Sequence, residues 1–199
     1  SVSMIDNSGN LKSFSFDIQE KKEIFIKTID DNENLICDTI INSVKDGGCA
    51  AFVCNTVKKS QYIYRLIKDK CPEDIEVILL HSRFPWEQRN SIEKSIIDKF
   101  GTKGKEGRPK KSIVVSTQII EQSLDIDFDI MFSEYAPIDL LLQRIGRLYR
   151  HLNNKRPENL CIPYFYIVDF KKDENNIPEI KSNVYDEYVL LKTWLCFQG

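Results

Sequence analysis

Cys-x-x-Cys spacing is absent among the six cysteines at 37, 49, 54, 71, 161 and 196, and the only histidines, His81 and His151, lie far apart. That argues against a zinc site and for reduced, mostly buried thiols. No apolar run approaches the roughly 18 residues that signal a membrane span. The N-terminal S-V-S-M-I-D-N-S-G-N also lacks a basic-then-apolar leader, so a cytoplasmic chain without membrane contact is expected. No G-x-x-x-x-G-K-[S/T] phosphate loop occurs; Gly101–Lys105 holds Gly-Lys without the earlier glycine or the hydroxyl residue. No D-E-x-[D/H] box occurs, since Asp173-Glu174 and Asp186-Glu187 are followed by other residues, and no His-Asp pair is adjacent. No metal ligand set is therefore expected. The formal charge of −2 excludes a general affinity for polyanions.

Charge is unevenly distributed, however. Residues 1–46 carry +5 and −9, residues 58–156 carry +19 and −14, and residues 157–199 carry +4 and −7. Any polyanion contact is expected in the middle stretch. The 42% hydrophobic content in 199 residues suits one compact unit with a sizeable core.

Periodicity predicts alternating elements. Residues 1–12 are polar and expected to fray; Phe14, Phe16 and Ile18, then Ile24 and Ile26, alternate as two short strands flanking 19–22. Ile36, Ile40 and Val44 recur at helical spacing, with Asp30 or Asp31 as cap and Gly47-Gly48 as stop. Cys49–Cys54 reads as a strand buried on both faces, followed by a helix from Val57 to about Lys70 and a strand over Glu76–Leu80. Pro85 opens a helix burying Ile92, Ile96 and Phe100. Gly101–Lys111, with three glycines and a proline, reads as a mobile basic loop, either a plain connector or a grip on a polyanion. Strands at Ile113–Val115, Ile130–Phe132 and Tyr164–Val168, a helix from Pro137 and a closing helix near Tyr185–Phe197 complete the pattern. The expectation is an α/β three-layer sandwich with a mainly parallel sheet, divided at residue 30 into N-terminal strands and tail (1–30) and the main body (31–199) as a single globular unit.

Polar clusters follow three strands directly: Asn55-Thr56, His81-Ser82-Arg83 and Ser116-Thr117-Gln118. Strand ends are where such sheets meet ligands, and several hydroxyls, amides and free N–H groups on one rim suit a phosphodiester backbone. A second constellation is cationic: Gln143, Arg144, Arg147 and Arg150 around Gly146. On an ideal helix Gln143, Arg147 and Arg150 fall within about 60°, opposite Leu141, Ile145 and Leu148. Gly146 costs about 1 kcal/mol in a helix interior, so the helix is expected to end near Arg147 with Arg150 on a loop. The bland readings stay beside these: Arg150 as a solvated helix end, Asp125 and Asp127 as turn or cap residues, Arg89 as a surface charge, His81 bonding its own loop.

The residues also carry a resemblance. Q-R-I-G-R-L-Y-R resembles motif six of superfamily-two helicases, Q/H-R-x-G-R-x-x-R, and T-Q-I-I-E-Q-S-L-D-I-D resembles their motif five. With A-F-V-C-N-T-V, L-H-S-R-F and A-P-I-D-L-L-L-Q-R, residues 49–151 resemble the second, RecA-like helicase domain of the CRISPR-associated helicase-nuclease of type I systems. The resemblance implies that Arg147 and Arg150 reach the γ-phosphate of ATP, while Gln143 and Arg144 face the nucleotide or the acidic box. Asp125 would meet the ribose or an arginine finger. Asn55, Thr56, Ser82, Arg83, Arg89, Thr117 and Gln118 would lie near the phosphates of single-stranded DNA. ATP and magnesium would be held mainly by a first RecA-like domain, on this or another chain. Further implied partners are an HD nuclease domain and an RNA-guided CRISPR surveillance complex. Alone, the chain is expected to hydrolyse no ATP. Another superfamily-two DNA or RNA helicase half, or a non-enzymatic binding module, are the alternatives.

Overall fold

The computed structural model describes residues 2–5, 11–14, 22–102, 107–122 and 124–198, with backbone alone for 2–5 and 11–14. Two antiparallel strands, β1 (Val2–Ile5) and β2 (Leu11–Phe14), occupy part of the stretch expected to fray. Phe16 and Ile18 of the expected first strand lie outside the described residues.

Six further strands form one wholly parallel sheet. They are β3 (Phe25–Ile29), β4 (Gly48–Val53), β5 (Glu76–Leu80), β6 (Lys111–Ser116), β7 (Ile130–Glu134) and β8 (Tyr164–Val168), in the spatial order β3-β8-β7-β4-β6-β5. β3 pairs with β8 throughout, so a division at residue 30 would cut through the sheet.

The helices cover both faces. α1 (Glu33–Val44) and α2 (Val57–Lys70) bury Ile36, Ile40, Ile63 and Ile67 against Ala50, Phe52 and Cys54. α3 (Trp86–Phe100), α4 (Ile138–Ile145) and α5 (Glu187–Leu195) bury Ile96, Phe100, Leu141 and Leu190 against Cys49, Ala51 and Val53. Alternate residues of β4 therefore feed two separate cores, which is why its sequence is apolar without a break. The expected three-layer sandwich is what forms. Among the described residues no helix is long and apolar enough to cross a membrane.

Local signals explain most boundaries. Asn32, not Asp30 or Asp31, caps α1 by accepting from Leu35 N at 3.1 Å, and Thr56 caps α2 by accepting from Lys59 N. Both put a side-chain oxygen where the first helical N–H groups lack partners.

Strands β4 and β7 are neighbours, but the helices that follow them, α2 and α4, go to opposite faces. That divergence is the switch point at which open α/β sheets leave a crevice beyond the strand ends.

Candidate nucleotide lip and nucleic-acid rim

Arg144 fills the base of that crevice. Its side chain is wholly buried. Nε donates to Glu121 Oε1 at 2.7 Å, Nη1 to Ser133 Oγ at 2.7 Å and to the Glu134 carbonyl at 3.0 Å, and Nη2 to Tyr185 Oη at 3.3 Å. The guanidinium that the resemblance assigns to the nucleotide or an acidic box is thus wholly engaged with partners inside the domain. Burial pushes the Glu121 carboxyl upward in pKa, and Arg144 offsets part of that shift.

Asn55 and Gln118 are drawn into the same knot. Asn55 Nδ2 donates to the Tyr135 carbonyl at 2.7 Å, and Gln118 Nε2 donates to the Asn55 carbonyl at 2.8 Å and to Tyr185 Oη at 3.1 Å. Their amide donors, expected at a nucleic-acid backbone, are spent inward. Thr117 is also buried, with its N–H on the Leu80 carbonyl. Thr56, Ser82 and Arg83 are exposed on the rim, and half-buried Arg89 lies 3.4 Å from Glu93 on its own helix.

Arg147 and Arg150 are not helical. α4 ends at Ile145, and Tyr149, between the two arginines, adopts a left-handed φ of 51°. A left-handed non-glycine residue costs roughly 1–2 kcal/mol. Stacking of the Arg156 guanidinium 3.8 Å over the Tyr149 ring offsets it. Gln143 is exposed on the last helical turn.

Arg147 Nη2 donates to the carbonyls of Glu121 and Gln122 at 3.1 and 3.3 Å, while its Nε is buried without a partner among the described residues. Burial and the neighbouring Arg150 lower its pKa. Arg150 Nε donates to Asp125 Oδ1 at 2.6 Å. The same carboxylate accepts from Thr102 Oγ1 at 2.7 Å and contacts His151 Nε2 at 3.0 Å. Hydrogen bonds from His151, Thr102 and Arg150 hold Asp125 far below the usual carboxylate range. Asp125 is thus a counter-ion on the surface, not a cap.

Asp127, in contrast, is buried with Asp129 beneath this lip, at the amino end of β7. Arg156 Nη2 reaches both Asp127 oxygens at 2.9 and 3.0 Å, Arg156 Nη1 bonds Asp129, and Arg108 reaches Asp127 at 3.1 Å and Asp129 at 2.9 Å. Asp129 also accepts from Cys49 N at 2.7 Å. Arg108, expected on a mobile basic loop, is instead turned inward; 103–106 of that loop lie outside the described residues.

Two groups therefore stand apart. Thr102, Asp125, Arg147, Arg150 and His151 form a cationic lip along the flank of α3 and α4. Thr56, Ser82 and Arg83 stand on the carboxyl rim. Sequence reasoning missed Glu121, Glu134, Arg156 and Tyr185; a lone glutamate inside I-I-E or F-S-E-Y is the signal that a buried cation must answer it. Among the described residues no three His, Cys, Asp or Glu side chains are grouped to hold a metal.

Comparisons with known proteins bear on the family and the fold. Residues 46–153 match the family described as CRISPR-associated nuclease/helicase Cas3, C-terminal. The chain is 39% identical over 178 residues to the CRISPR-associated nuclease/helicase Cas3 of Streptococcus thermophilus, covering 89% of this chain and 18% of that protein. It superposes on the T. fusca Cas3–ADP crystal structure with a TM-score of 0.86 at 29% identity, covering 98% of this chain and 25% of that one. It also superposes on a chain of a CRISPR RNA-guided surveillance complex in a pre-nicking state, with a TM-score of 0.74 at 33% identity, covering 90% and 23%. The sheet is RecA-like, and the chain spans about a quarter or less of these relatives. The chain belongs to the CRISPR-associated nuclease/helicase Cas3 family, as its C-terminal helicase domain.

Proposed function

We propose that this chain is the second RecA-like domain of an ATP-driven motor on single-stranded DNA, and that Arg147 and Arg150 complete an ATP site whose phosphate-binding half lies elsewhere. The observation that carries this reading is the lip itself. Arg147 keeps a buried Nε without a partner, and Arg150 is held by one exposed carboxylate that a phosphate can replace. A guanidinium aimed at a γ-phosphate stabilises the charge of phosphoryl transfer, an effect of roughly 10³–10⁵ in rate.

In this reading magnesium and the β-phosphate belong to the first domain, and Gln143 meets that domain across the cleft. Thr56, Ser82 and Arg83 contact strand phosphates on the rim. The likeness to a chain within a surveillance complex supports recruitment by an RNA-guided complex, with an HD nuclease domain as a further partner.

The test is ATP hydrolysis by this chain combined with a separately made first domain, with single-stranded DNA or RNA as activator. The expected outcome is DNA-stimulated turnover that falls by about 10³ or more in Arg147→Ala, with no turnover by the 199-residue chain alone. Robust magnesium-dependent hydrolysis by the chain alone, abolished by Arg147→Ala, would overturn the reading.

A further inference from the structure

On the carboxyl rim, α2 and the turn between β5 and α3 are tied together at one point: Gln61 Nε2 lies 3.0 Å from His81 Nε2. An amide nitrogen only donates, so Nε2 accepts and the ring proton sits on Nδ1. That nitrogen is buried and has no partner among the described residues, in a histidine only 3% exposed. The ring stacks on Phe84 at 4.1 Å.

The tie sets a cationic stripe against the turn. At about 100° per residue Lys58, Gln61 and Arg65 share one face within about 60°, with Lys68 and Tyr62 on its margins. Lys58, Arg65 and Lys68 are exposed, and none has a carboxylate within salt-bridge distance among the described residues. By contrast Lys59 is bound to Asp31 and Lys70 to Asp38. Across the tie stands Arg83, also exposed and without a carboxylate partner among the described residues, three residues before Trp86, which is 67% exposed at the start of α3. Tyr62 is 50% exposed. Asp69 bounds the far end of the stripe and Glu87 follows Trp86; both are exposed.

Exposed aromatic faces on the same rim as cations free to bind phosphate are the combination a single strand uses, stacking for the bases and charge for the backbone. We propose that Lys58, Arg65 and Arg83 carry the backbone of a single-stranded nucleic acid along α2, and that Trp86 stacks on one of its bases. The inference rests on the reading of the rim as a single-strand surface. It extends that surface to residues outside the helicase motifs. The strand leaves the rim along α2 instead of crossing the sheet edge.

The protein's two tryptophans make the test direct. Trp194 is half-buried and donates to Asp169 at 3.1 Å, so in Trp194→Phe the remaining emission comes from Trp86. The probe is oligothymidylate of about 12 nucleotides, within the usual site size of a single-strand surface, titrated at low salt. The expected result is quenched emission, an affinity about tenfold weaker in Trp86→Ala and nearly retained in Trp86→Phe. Lys58→Ala and Arg65→Ala should each lower the slope of log affinity against log salt by about 0.7.

Binding that depends on Arg83 but is indifferent to Trp86, with unchanged emission, overturns this path and leaves the rim reading standing. Binding indifferent to Arg83 and Trp86 alike, or none, overturns both. Polyglutamate that competes as well as the oligonucleotide with no change in emission assigns the surface to an acidic protein, and overturns the proposal.

Discussion

Asp125 shows how one carboxylate sets the resting state of the lip. It is half-exposed, yet Arg150, His151 and Thr102 converge on it. A depressed carboxyl contributes stability that is present above its unfolded value of about 3.9 and is lost as pH falls through the lower folded value. Exposure limits the contribution to about 1 kcal/mol or less. For Asp125→Asn, urea unfolding should therefore show a small, constant deficit from pH 8 to 5 that narrows below about pH 4. A deficit unchanged at pH 3 would mean the carboxylate's charge is not what holds Arg150. That Asp125 meets the ribose or an arginine was legible only through the resemblance to motif five. The contributions of Thr102 and His151 were not, because they reach Asp125 from segments far away in sequence.

At the scale of elements, α4 is the informative case. It has eight residues and turns only Leu141 and Arg144 into the buried interior, so half of its fully buried face is a charge. Arg144→Met would leave Glu121, nearly buried, without its partner, and removing one member of a buried pair costs about 3–5 kcal/mol. Adding Glu121→Gln should recover more than half of that loss, read from urea midpoints; a single-variant cost below about 1 kcal/mol would sink the argument. Reading arginines by register alone could not separate Arg144 from its neighbours, since the pattern marks a cationic segment without saying which residue points inward. Apolar elements were more legible. The unbroken run of β4 announces a doubly covered strand in its own residues, whereas Thr56 reads in the sequence as a polar rim residue and only the fold shows it capping α2. The cap of α1 was displaced to Asn32 because Asp30, Asp31 and Asn32 are all capping types, and only packing chooses among them. The inward turn of Arg108 was illegible because a glycine-rich stretch predicts a loop but not what its side chains seek.

In the whole molecule, residues 121–122 and 124–129 lie against residues 144–156. Phe128 N bonds the Arg147 carbonyl at 2.9 Å, and Tyr149 N bonds the Phe128 carbonyl at 2.9 Å. Arg144 and Glu121 anchor the pair at the carboxyl end; Asp127 and Asp129, with Arg108 and Arg156, anchor it at the amino end. Arg147 and Arg150 are thus mounted between two buried ionic knots. The five residues of β7 separate the knots by about 16 Å at roughly 3.3 Å per residue, beyond the range at which substitutions usually couple. Tyr185→Phe removes an acceptor from the carboxyl-end knot, and Arg108→Met removes a cation from the amino-end knot. Their stability losses should add within about 0.5 kcal/mol in a double-mutant cycle. Tyr185→Phe with Glu121→Gln, which share Arg144, should depart from additivity by more than that. Strong coupling across the sheet would instead mean that the two segments move as one strap, and that the lip's arginines follow changes at either end.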